Sequence, residues 1–458
     1  MSLTGLAFAA AFFGAMGLAL FRHPLFGLYA YVAVFYLHPP SRWWGATLPD
    51  LRWALFAAIV TFIATLRLPR DATRESWAAT PAAKLIIAYT VWLWIQMVWA
   101  LDRGDQLDIS ILFTKYILLF YLIHRLIDTP QKVTHFLIAH VLGCAYLGWL
   151  AFNARFSGRL EGVGGPGIDE ANALAMQMGT GVAVAAMMML GGRGWIRWAC
   201  FAAMPFLLNT MVLSGSRGAF LALLATGLAL WYLKPYKHRK LFYAFAVLGG
   251  ILFGMLASTH FLTRMDTITA AAQQDADVDR SAASRMVIIK AQWEMAKKYP
   301  FGAGHRGTAV LSTQYLDEIY LSHSVVDGRL VAGQRSSHNT FMSTLVEQGI
   351  PGAVIWAWLW AWIALALRRA KERGIDADAT ERATLAAAIG GGLTMVFVAG
   401  QFVDYLKVEI QLWLIVLLVV LLQFQRSAVT EGAKALAPGT RPVLKPGVAR
   451  SPSAPATR

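Results

Sequence analysis

Cysteine is almost absent from this chain: the only two, Cys144 and Cys200, lie inside apolar segments, and neither has the spacing of a metal ligand. A disulfide framework and a zinc site therefore have no support in the sequence. The first apolar segment lacks a basic flank and a small-residue cleavage site, so it is expected to remain as a helix rather than be removed as a signal. No internal repeat is evident. What the chain has in excess is apolar residues, 57% of 458 positions. Its mean hydropathy of +0.50 is more than a soluble core can bury.

The apolar residues come in continuous runs of bilayer length. Crossing a hydrocarbon core of roughly 30 Å takes about 20 helical residues, and only helices or closed barrels satisfy the backbone there. Continuous rather than alternating runs select helices. About thirteen segments fit that template or fall slightly short of it. They lie near 3–21, 24–37, 51–67, 82–100, 109–124, 133–152, 171–190, 195–213, 217–233, 241–262, 341–367, 383–403 and 408–424. The run at 24–37 is short, follows a tight Arg22-His23-Pro24 turn and ends at Pro39-Pro40, which cannot continue a helix. The expected fold class is thus all-α, a polytopic membrane protein of about 12–13 transmembrane helices with one large, partly helical loop.

Lys and Arg gather in alternate connections: Arg67 to Lys84, Arg125 to Lys132, Arg193 to Arg197, Lys234 to Lys240, and Arg368 to Arg373. Short basic loops stay in the cytoplasm, so these face inward, as does the tail after Arg426, whose Pro, Ala, Arg and Lys content reads as disordered. The intervening connections, 38–50, 101–108, 153–170, 214–216, 263–340 and 404–407, face outward. The net charge of +15 follows from this topology and from contact with anionic membrane lipids; nucleic acid is not an expected partner. The chain divides into N-terminal transmembrane helices (1–262), a large outward loop (263–340), C-terminal transmembrane helices (341–425) and a disordered cytoplasmic tail (426–458).

A loop of about eighty residues is far longer than ordinary connections and reads as functional. It contains an expected helix from Ser284 to Lys298, a stop and glycine turn at Tyr299-Pro300-Phe301-Gly302-Ala303-Gly304, and Ser336-Ser337-His338-Asn339 directly before the next apolar helix. Either serine could cap that helix. His338 stands where free N–H groups and the helix dipole favour anions, and a neutral imidazole can accept a proton; local hydrogen bonding is the competing reading.

The topology places several arginines at the same face. Arg217, in Ser214-Gly215-Ser216-Arg217-Gly218, sits where two apolar helices meet with almost no loop, and a charge at that depth is functional by default. Arg264, Arg280 and Arg285 open the long loop, and Arg155 and Arg159 lie in the connection before it. Guanidinium groups bind phosphate bidentately and keep their charge, so several around one outward cavity would hold a diphosphate without a metal. Headgroup contact, or pairing with Glu161, Asp169, Glu170 or Asp266, competes for Arg155 and Arg264. Asn339, Asn172, Arg155 and Arg159 are candidates for orienting sugar or phosphate. Asp404, near a helix end, is a candidate to position His338, against ordinary boundary placement. Glu347, inside the apolar segment, needs a partner, with structural pairing expected.

Ser214-Gly215-Ser216-Arg217-Gly218, Arg285 ahead of Trp293 and the Pro300-to-Gly304 turn, and Ser337-His338-Asn339-Thr340-Phe341 leading to Glu347-Gln348-Gly349-Ile350-Pro351-Gly352 resemble the O-antigen ligase and Wzy polymerase superfamily. Arg159-Leu160-Glu161-Gly162 with Asp169-Glu170-Ala171-Asn172 is similar to that family's loop before an apolar helix, where Asp-Pro-Asn is common. The resemblance implies a multi-pass protein of the bacterial inner membrane, working at its periplasmic face. It would be a glycosyltransferase without metal or cofactor, moving a glycan from undecaprenyl diphosphate to the lipid A-core of lipopolysaccharide. The family's functional histidine maps onto His338 and its two prominent arginines onto Arg217 and Arg285. A Wzy-type polymerase or a protein O-oligosaccharyltransferase would use similar motifs. From another class, a lipid-linked glycan transporter would also need outward arginines but usually shows internal repeats.

Overall fold

A computed structural model describes residues 2–69, 74–154, 160–256, 280–326, 329–372 and 377–435. Ten long helices come first: α1 (Leu3–Phe21), α2 (Leu25–Leu37), α3 (Trp53–Thr65), α4 (Pro81–Gln96), α5 (Arg103–Leu126), α6 (Pro130–Asn153), α7 (Ala171–Gly191), α8 (Trp195–Ser214), α9 (Arg217–Leu233) and α10 (Arg239–Leu256). The large loop contributes α11 (Arg280–Lys298), α12 (Gly307–Tyr315) and a short antiparallel hairpin, Ser322–Val326 against Arg329–Gly333. Then follow α13 (Thr340–Glu347), α14 (Gly349–Glu372), α15 (Ala377–Ala399) and α16 (Glu409–Ala435).

The protein is a helical, polytopic membrane protein. Among the described residues every apolar segment expected from the sequence falls mainly on helix; 257–262, the end of the segment at 241–262, lie outside them. Among the described residues seven helices are long and apolar enough to span a membrane, and three shorter apolar ones accompany them. Side chains such as Leu228 and Trp198, 70% and 69% exposed, suit a surface that faces lipid. Helix starts follow the caps: Thr80, Asp102, Thr129 and Ser216 each accept from the N–H three residues on, with Pro81 and Pro130 in first position where no N–H is needed.

α7 and α15 form the centre, with 89% and 78% of their apolar windows buried. Small residues let the backbones close up: a Cβ at Gly179 would lie 2.3 Å from Met395, and one at Gly191 2.6 Å from Thr384. These contacts make α15 antiparallel to α7. Gly218 against Phe402, and Gly391 against Leu230, do the same for α15 and α9.

The connections sort to two ends of the bundle. At one, basic side chains donate to backbone carbonyls at and beyond the helix ends: Arg67 to Leu20 O (2.8 Å), Arg74 to Ile127 O (2.9 Å) and Arg125 to Leu68 O and Pro69 O. At the other lie 38–52, 97–102, 160–170, 215–216, 299–306 and 400–408. There Arg42 bonds Val163 O (3.0 Å), and the 299–306 turn is held by the end of α4 and the start of α5. Both sets match the alternation of basic loops in the sequence.

Two expectations change. The segment 341–367 is not one helix: α13 ends at Glu347 and α14 restarts at Gly349, whose φ of 67° is left-handed. The break exists because the glycine turn packs into it, Ile350 N donating to Pro300 O (2.8 Å) and Gly304 N to Glu347 O (2.9 Å). The C-terminal helix also runs on to Ala435, past the expected start of a disordered tail at 426; residues 436–458 lie outside the described residues.

A Cβ at Gly349 would meet Gly302 N at 2.3 Å, and a non-glycine residue in this region costs about 1–3 kcal/mol before any clash. Gly349→Ala is therefore expected to lower the melting temperature of detergent-solubilised protein by several degrees. A control substitution at Gly227, where a Cβ meets nothing within 4 Å, should change it little.

Candidate functional site

The site is built around the turn before α13. Ser337 Oγ accepts from Gln292 Nε2 (2.8 Å) and from Asn339 N (3.2 Å) and donates to Asn339 O (3.0 Å), which fixes His338 between two held neighbours. The cap of α13 is Asn339 rather than Ser336 or Ser337: its Oδ1 accepts from Phe341 N (2.9 Å) and Met342 N (3.0 Å). Serine is displaced because Ser337 already serves Gln292. Asn339 Nδ2 donates to Gln401 O (3.1 Å), so both ends of the carboxamide that was expected to orient sugar or phosphate are engaged by protein.

The segment between α15 and α16 receives this turn. Thr340 N donates to Gly400 O (2.7 Å), and Thr340 Oγ1 donates to Val403 O and accepts from Tyr405 N, both at 2.8 Å. Arg217 stands beside the same segment through its neighbour Gly218. It is the first residue of α9, after Gly215 in left-handed conformation and the Ser216 cap, and the next residue, Gly218, leaves room for Phe402, whose Cβ would lie 2.7 Å from an added Cβ. Arg285 lies on α11 seven residues before Gln292, hence about two turns along the same edge, and is half-buried. The neighbours of His338 and of Arg217 thus meet one connector, and the helix of Arg285 meets the turn of His338 through Gln292. Asn172, half-buried, stands in the first turn of α7 at this end. Arg155, Arg159 and Arg264 lie outside the described residues, and of Arg280 only the backbone is described.

Glu347 pairs with neither arginine. Its Oε2 lies 3.1 Å from His305 Nδ1, with both side chains under a tenth exposed. His305 was missed in the sequence although it directly follows the glycine turn. The polar residues at the ends of α4 and α5 were the signal for its surroundings: Gln106 Oε1 accepts from His305 N (2.7 Å), and Gln96 Nε2 donates to Phe301 O and Glu347 O, both 3.0 Å. Asp404 stands near the His305–Glu347 pair; its Oδ2 accepts from Ser343 Oγ (2.8 Å) and its Oδ1 from Leu406 N (3.1 Å). Among the described residues no three His, Cys, Asp or Glu side chains are grouped so as to hold a metal ion.

Burial, reinforced by nearby Glu347, raises the Asp404 carboxyl above its ordinary value, while the bonds from Leu406 and Ser343 and the nearness of His305 pull it down. A carboxyl whose pKa is higher folded than unfolded takes up a proton on folding. Its contribution to stability is complete below the unfolded value of 3.8 and is lost as pH rises toward the folded value. Asp404→Asn is expected to reduce the fall in melting temperature between about pH 4 and neutrality. An equal fall in variant and wild type would count against this assignment.

Residues 202–357 match the family described as Wzy_C, O-Antigen ligase. No curated protein matches the chain. The matched stretch runs from α8 through the first turns of α14 and contains Arg217, Arg285 and His338, the residues that the fold gathers at one end of the bundle. Over this stretch the chain is similar to the O-antigen ligase family.

Proposed function

We propose that this protein is an O-antigen ligase, an inverting glycosyltransferase that takes a glycan from undecaprenyl diphosphate and attaches it to the lipid A-core of lipopolysaccharide at the periplasmic face of the inner membrane. The observation that carries the reading is that the residues beside His338 and Arg217, namely Asn339, Thr340 and Gly218, meet the same 400–405 connector, at the end of the bundle away from the basic connections. By the rule that basic loops stay inside, that end is the outer one.

In this reading His338 takes the proton of an acceptor hydroxyl as the oxygen attacks the anomeric carbon, a contribution of about 10²- to 10⁴-fold. The new bond forms to that carbon while its bond to phosphate oxygen breaks on the opposite face, inverting the configuration. The electron pair leaves with the diphosphate. Arg217 and Arg285 bind that diphosphate and stabilise the charge gathering on it, a role in which fixed guanidinium groups substitute for a metal. Asn172 stands at the rim and orients the donor.

Transfer is tested with purified protein, a glycan on undecaprenyl diphosphate and rough lipopolysaccharide, in chelator, with products resolved on a gel. Wild type is expected to build glycosylated lipopolysaccharide. His338→Ala should lose about 10²-fold or more, and Arg217→Lys should lose most activity because a point charge cannot replace a planar fork. A ladder formed from the donor alone would move the reading to a polymerase. Transfer that persists in His338→Ala would sink the proposed base.

A further inference from the structure

The strongest feature that the proposed mechanism leaves unused is the buried His305–Glu347 pair, and the inference drawn from it rests on His338 acting as described above. We propose that this pair is a positioning device for His338, fixing the far end of the short helix whose near end presents the imidazole.

α13 is eight residues long, hence about 12 Å, and the break at Gly349 means that α14 does not continue its axis. Its placement depends on ties along its length. The near end is tied through Asn339 and Thr340 to the 400–405 connector, and the middle through Ser343 to Asp404. The far end is tied through Glu347 to His305. His305 itself is immobilised: its N–H donates to Gln106, whose amide donates to Leu93 O (2.6 Å). The next residue, Arg306, has a φ of 57° and pairs with Asp105 at 2.9 Å, so the backbone here is held in a region that non-glycine residues avoid.

Adhesion alone does not call for such a pair. Backbone bonds from Ala303 N to Val346 O and from Gly304 N to Glu347 O already fasten the turn to the helix, and an apolar pair of similar volume commonly holds as well as a buried ionic one. What a hydrogen-bonded pair adds is direction. It fixes the rotation of α13 about its own axis, and rotation of an eight-residue helix swings the turn at its other end. Misplacement of a reacting group by about 1 Å can cost roughly 10²-fold in rate, so a device that fixes rotation acts on turnover rather than on substrate binding by the arginines.

The test compares Glu347→Ala, Glu347→Gln, His305→Ala and the double alanine variant in the transfer assay, beside His338→Ala. Glu347→Ala is expected to lower kcat about 10- to 100-fold with KM for donor and acceptor unchanged. Glu347→Gln still accepts from His305 Nδ1 and should stay within about threefold of wild type. The double alanine variant should be no worse than either single one, because the two side chains act as one unit. Folded Glu347→Ala with wild-type kcat overturns the proposal, as does Glu347→Gln as impaired as Glu347→Ala, which would mean a proton-transfer role. If Glu347→Ala does not fold, Glu347→Met keeps the side-chain length without the acceptor, and unchanged kcat there overturns it equally. Transfer untouched in His338→Ala removes the proposed function and this inference together, whereas transfer lost in His338→Ala but intact in Glu347→Ala removes the inference alone.

Discussion

Thr340 is buried between the start of α13 and the connector, with its N–H on Gly400 O, its hydroxyl on Val403 O, and the Tyr405 N–H returned to that hydroxyl. Pulling the turn of His338 away from the connector would strand these buried polar groups, each at a cost of about 1–3 kcal/mol. Since the same connector accepts Phe402 against Gly218, one short segment fixes the spacing of His338 and Arg217. The large loop is therefore joined to the membrane bundle at a definite register.

That register depends in turn on the centre of the bundle. α7 is rich in Ala and Gly, and a helix with such small side chains can approach α8, α9 and α15 closely. Because α15 runs antiparallel to both α7 and α9, its C-terminal end meets the N-terminal ends of both. The connector after α15 is thus delivered to Arg217, and Asn172 to the same end, by packing that involves neither residue.

The helices, and the sorting of their connections to two ends, were legible because the bilayer imposes one length and one composition on every span, and because basic residues mark alternate connections. The glycine turn at 299–304 was legible from its residues. The break at Gly349 was hidden inside an apolar run, since hydropathy does not register a left-handed glycine between two helices that are both apolar. The partner of Glu347 was unreadable for a related reason: His305 is distant in sequence, and its role depends on the turn closing onto α4, α5 and α13 together. The cap at Asn339 could have been assigned only by knowing that Gln292 already occupies Ser337. Such competition between neighbours is settled by tertiary contact, not by residue preference.

The two ends of the bundle use arginine in opposite senses. Arg67 donates to Leu20 O in the last turn of α1, where a cation complements the helix dipole by about 0.3–1 kcal/mol. Arg217 stands in the first turn of α9, where the same dipole opposes a cation by a similar amount. Helix stability therefore gives no reason for arginine at that position. In the proposed function an anion placed there is attracted by the guanidinium and by the dipole at once.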